Sequence, residues 1–84
     1  MHERALVKIL HPLNSQERLE ARVVEWSDPY VTLRLPQRLM PATVVQIRFG
    51  GRIAMGEVRR CDPAHDEFEI QIQFQDVLSV GETS

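Results

Sequence analysis

"EFEIQIQFQ", residues 67–75, decides how this chain is read. Phe68, Ile70, Ile72 and Phe74 alternate with Glu67, Glu69, Gln71, Gln73 and Gln75. An extended backbone sends successive side chains to opposite faces, so here one face is wholly apolar and the other wholly polar. The segment is a half-buried strand. Its neighbours repeat the pattern: "TVVQIRF" sets Val45, Ile47 and Phe49 against Val44, Gln46 and Arg48, and "YVTLRL" sets Val31, Leu33 and Leu35 against Tyr30, Thr32 and Arg34. Weaker versions occur in "ALVKIL", with Ala5, Val7 and Ile9 inward or the opposite parity, and in "LEARVVE", through Leu19, Ala21 and Val23.

From Arg52 to Cys61, Ile53 and Met55 hold one parity and Val58 the other, with Gly56 between them. A glycine at a change of parity predicts a bulge or a sharp bend. Turn chemistry fills the gaps, in "HPLNSQ", "SDPY", "PQRLMP", "GG" and "CDPAHD". "FGGR" is short enough for a tight hairpin. Six strands, with a short helical turn expected only in "FQDVLSV" (74–80), predict an all-β fold: a small six-stranded antiparallel β-barrel.

Eighty-four residues make one domain, 1–84, with a polar tail at 81–84, because so short a chain buries only about 60–65% of its unfolded surface. A deep catalytic cleft is not expected. No apolar run approaches the roughly 18 residues of a membrane span, and the N-terminal stretch lacks the apolar core of a signal peptide, so the expected location is cytoplasmic. Cys61 is the only cysteine, which excludes an intramolecular disulfide and leaves no zinc-ligand spacing. His2, His11 and His65 share no metal-ligand spacing and read as exposed residues of termini and turns. Nine of the ten basic residues are arginine, the side chain whose planar fork suits phosphate, and Lys8 is the exception. The net charge of −2 nevertheless argues against duplex nucleic acid, which is held mainly by a basic surface.

The order of these motifs resembles the PilZ domain family. "EWSDPY" stands at the family's D/N-x-S-x-x-G position, "LPQRLMPATVVQIRF" at its third motif, "MGEVRRC" at its fourth and "FEIQIQF" at its last strand, so the similarity covers about Leu19 to Val77. The resemblance implies a six-stranded barrel, a non-catalytic role in bacterial signalling and cyclic di-GMP as ligand, with no cofactor. It carries Ser27 over as a ligand contact. Glu25 and Tyr30 replace the family's Asp/Asn and Gly, and the arginine pair of R-x-x-x-R is represented by Arg4 with Lys8, or by Arg18 with Arg22. A tyrosine does not readily adopt the positive φ open to glycine, so a weakened hold on the nucleotide is expected.

The candidate ligand contacts are therefore Ser27, Arg4, Arg22 and Trp26, the last as a stacking surface for a purine. A packing role for Trp26, capping one end of the barrel, is the more ordinary expectation. Ser27 and Asp28 equally suit the plain start of a turn. Arg59 and Arg60 alternate along a strand, which sends one of them outward to pair with a glutamate of the neighbouring strand. "CDPAHD" brings Cys, Asp and His close in sequence, but a turn is a poor scaffold for a triad, and no enzyme is expected. The alternative function is a ligand-free barrel that binds a protein partner through Trp26, Tyr30 and Met40, residue types favoured at interface cores.

Overall fold

The computed structural model describes residues 3–11 and 18–79. The alternating segments become β1 (Glu3–His11), β2 (Arg18–Ser27), β3 (Tyr30–Leu35), β4 (Val44–Phe49), β5 (Arg52–Ala64) and β6 (Glu67–Ser79). All neighbours are antiparallel, and the sheet closes on itself in the order β1-β2-β3-β6-β5-β4. Closure leaves no strand with an open edge. On β2, β3, β4 and β6 the inward parity expected is the buried one, and on β1, where the sequence leaves either parity open, the odd positions are buried: Ala5 and Val7, Ala21, Val31, Leu33 and Leu35, Val45, Ile47 and Phe49, and Ile70 and Ile72 form one continuous core. Each branched or aromatic side chain fully buried there contributes about 1.5–3 kcal/mol relative to exposure.

Four register shifts shape this barrel, one of them between Ile9 and His11 where β1 pairs with β4. On β2 the pairing with β3 skips from Val23 to Glu25. Val24 is thereby left exposed, and Trp26, which strict alternation from Ala21 would place outside, turns inward. The other two lie in the long β5–β6 ladder, between Met55 and Gly56 and between Val58 and Arg60. The irregularity expected near Gly56 is present, but parity does not change there. Ala54, Gly56 and Val58 all face inward, and Ile53 and Met55 lie on the outer, half-buried side.

Two expectations are corrected in the same ladder. The helical turn expected in residues 74–80 is absent through Ser79: Asp76, Val77, Leu78 and Ser79 pair with Met55, Ala54, Ile53 and Arg52, so their backbone groups are committed to the sheet; Val80 lies outside the described residues. "CDPAHD" is mostly strand. Asp62, Pro63 and Ala64 pair with Glu69, Phe68 and Glu67, and the turn shrinks to His65 and Asp66, with His65 at φ 58°.

"FGGR" forms the expected two-residue hairpin, with Phe49 opposite Arg52 and Gly50 at φ 55°. The connection 36–43 folds under the barrel: Leu39 enters the core, Ala42 N–H donates to the Val58 carbonyl, and Val58 N–H donates to the Thr43 carbonyl. "HPLNSQ" apart from His11, the tail 81–84 and His2 lie outside the described residues. Among the described residues no helix is long and apolar enough to cross a membrane.

Candidate functional site

The hairpin "EWSDPY" is built from β2 and β3. Ser27 pairs directly with Tyr30, so Asp28 and Pro29 alone make the turn, joined by a cis peptide bond. The Pro29 carbonyl accepts a hydrogen bond from the Phe74 N–H at 2.8 Å, which ties the turn to β6. Ser27 is exposed on the outer side, and Tyr30 is half-buried between Ser27 and Gln73. The result is a short, braced hairpin rather than an open loop.

Trp26 faces the other way. Its ring lies 4.4 Å from that of Phe49 at an interplanar angle of 50°, and 4.4 Å from that of Phe74 at 36°. Tilted aromatic contacts at this separation are favourable, and together the three rings cover one end of the core. Packing thus accounts for Trp26 without a ligand. Met40, by contrast, is 62% exposed. It sits in the connection that leaves the far end of β3 from Tyr30, so the three residues proposed as one interaction surface do not form a single strand-face cluster.

The arginines gather elsewhere. Arg4 of β1 pairs across the ladder with Arg22 of β2, which pairs in turn with Arg34 of β3. All three share the outer face and border an open groove of about 280 Å³ with Glu20, Pro36 and Glu67. Like charges placed directly opposite are destabilising, and β6 offsets this in part: Arg22 donates to Glu67, and Arg34 Nε lies 3.4 Å from Glu69. Arg4 has no ion pair among the described residues. The strand register therefore brings Arg4 and Arg22 together but leaves Ser27 roughly 16 Å along β2 from Arg22, at about 3.3 Å per residue.

Arg18 lies still farther down β2, opposite Lys8. Arg59 and Arg60 are both exposed, because the register shift after Val58 removes the alternation that was expected to separate them. Arg59 Nε donates to Gln73 Oε1 of β6 at 2.7 Å, and Arg60 pairs with Asp62 of its own strand at 3.2 Å. Cys61 is half-buried against the core within β5. His11 closes β1 and His65 occupies a turn, both exposed, and no acid, histidine and cysteine cluster among the described residues can hold a metal ion.

Arg34 and Arg48 are the residues that reading the strands one by one misses. Both occupy outward positions in alternating strands, yet only the pairing register shows which other cations stand beside them. No family model, curated protein or solved structure matches the chain.

Proposed function

We propose that this is a non-catalytic PilZ-like domain of bacterial cyclic-di-GMP signalling whose direct hold on the nucleotide is weakened. The motif order from Leu19 to Val77 supports the family, and a closed six-stranded antiparallel barrel is the framework that the resemblance implies. The weakening rests on one observation: Ser27 ends β2 in a two-residue hairpin, while the arginine pair Arg4–Arg22 stands well down the same ladder. A ligand that spans both must reach across Val24 and Glu25, with Trp26 already engaged by Phe49 and Phe74.

Titration calorimetry with cyclic di-GMP, paired with an amide chemical-shift titration, tests this reading. Weak, fast-exchanging shifts at Arg4, Arg22 and Ser27 are expected, with little heat until high micromolar ligand. Tight stoichiometric binding overturns the weakened site. A silent titration leaves the second reading, a ligand-free barrel that binds a protein partner, which the exposure of Met40 favours. A strictly monomeric solution mass with no stoichiometric partner counts against that alternative.

A further inference from the structure

We propose that the outer face of β4, β1 and β2 is a docking surface for an acidic protein segment that carries apolar residues. The face holds Arg4 and Lys8 on β1, Arg18 and Arg22 on β2, and Arg48 on β4, against two acids, Glu20 and, beyond the β2 bulge, Glu25. The register does not disperse these charges. Arg4 stands opposite Arg22, and Lys8 opposite Arg18. Such pairings work against the fold, so stability alone does not account for them. On β5 and β6 the opposite holds: Glu57, Asp62, Glu67 and Glu69 each meet an arginine within 4 Å. Arg4, Lys8, Arg18 and Arg48 enter no ion pair among the described residues, so four of the six cations without one, Arg38 and Arg52 being the others, stand on this face.

The chemistry of the face selects the partner. Leu6 and Leu10 are half-buried among the cations, so carboxylates interleaved with apolar side chains match it in both respects. Single-stranded nucleic acid requires aromatic platforms beside the basic groove, yet Trp26 and Phe49 are packed together at the end of the barrel. The opening between Lys8, Arg18 and Arg48 is only about 60 Å³, and the wider one of about 380 Å³ between Arg4 and Arg48 is lined also by Ala5, Leu6 and Phe49, which suits an apolar side chain beside the cations. The face shares Arg4 and Arg22 with the groove assigned to cyclic di-GMP, but Lys8 and Arg48 lie outside that groove and separate the two readings.

The test uses fluorescence anisotropy with a labelled peptide of alternating Glu and Leu, about ten residues long, enough to follow β1 at roughly 3.3 Å per residue. Oligothymidylate and phosphatidylserine vesicles serve as competing polyanions. Saturable peptide binding that weakens as salt rises is expected, together with a loss of about tenfold or more in the double variant Lys8→Glu, Arg48→Glu. Arg60→Glu, on the β5 side, is expected to bind as the parent does, and circular dichroism shows whether each variant stays folded. Failure of the peptide to saturate, an equal loss in the Arg60 variant, or tighter binding of the oligonucleotide or the vesicles overturns the proposal.

Discussion

Gly56 lies against the backbone of Gln73: a Cβ added to it would stand 2.6 Å from the Gln73 carbonyl oxygen and 2.7 Å from Ile72 Cγ2. Contacts so short cannot be relieved by rotating a surface side chain, because one of the atoms belongs to the β6 backbone. Gly56→Ala is therefore expected to destabilise the barrel by about 1–3 kcal/mol through overpacking. Urea unfolding of the variant checks it, and an unchanged midpoint would show that β5 and β6 can separate there without cost.

Trp26 joins the outer hairpin to the core through Phe49 and Phe74. Trp26→Ala is expected to cost about 3 kcal/mol, the low end for truncating a large aromatic, because the residue is only half-buried. Trp26→Phe keeps an aromatic ring in the cluster and loses less. As the only tryptophan, it reports on itself: emission of the native protein lies to the blue of the unfolded chain. A native spectrum matching free tryptophan would contradict the packing.

Ala42 adopts φ 74°, a region that L-residues avoid and glycine enters freely. Ala42→Gly is thus expected to stabilise the fold by about 0.5–1 kcal/mol, the reverse of the usual effect of that substitution. The Ala42 N–H bond to the Val58 carbonyl is unaffected by the change. Thermal melts of parent and variant decide the sign.

Arg22 and Glu67 pair across strands that are not hydrogen-bonded to each other, since β3 lies between them. Both side chains are substantially open to water, at 48% and 30% exposure, so a double-mutant cycle is expected to return less than about 1 kcal/mol of coupling, and less again at high salt. A coupling of several kcal/mol would mean that the groove is drier than its geometry indicates.

Strand alternation made the barrel legible in advance, because a period of two is visible within each segment and does not depend on its partners. Length was less legible. Pro63 and the acids around it read as turn chemistry, yet the β6 partner strand holds Asp62 to Ala64 extended. Local propensity at residues 74–79 lost to tertiary pairing for the same reason. Ile53, Met55 and Val58 suggested a change of parity at Gly56, but the inner positions belong to Ala54, Gly56 and Val58, and at Gly56 β6 approaches too closely for a side chain. The hairpin of Ser27 was readable from "SDP". The row Arg4–Arg22–Arg34 was not, since cross-strand register is a property of pairs of segments that no single segment records.

β1 is the stave that closes the cylinder, hydrogen-bonded to β2 on one side and to β4 on the other. Its contacts with β2 are local, but those with β4, like those of β3 with β6, span two intervening strands, and the entropy of closing so large a loop must be met before either ladder forms. Until then both β1 and β4 present bare backbone that neighbouring chains can capture. The cations at Lys8 and Arg48 stand along that seam, where like charge on two copies opposes their pairing edge to edge.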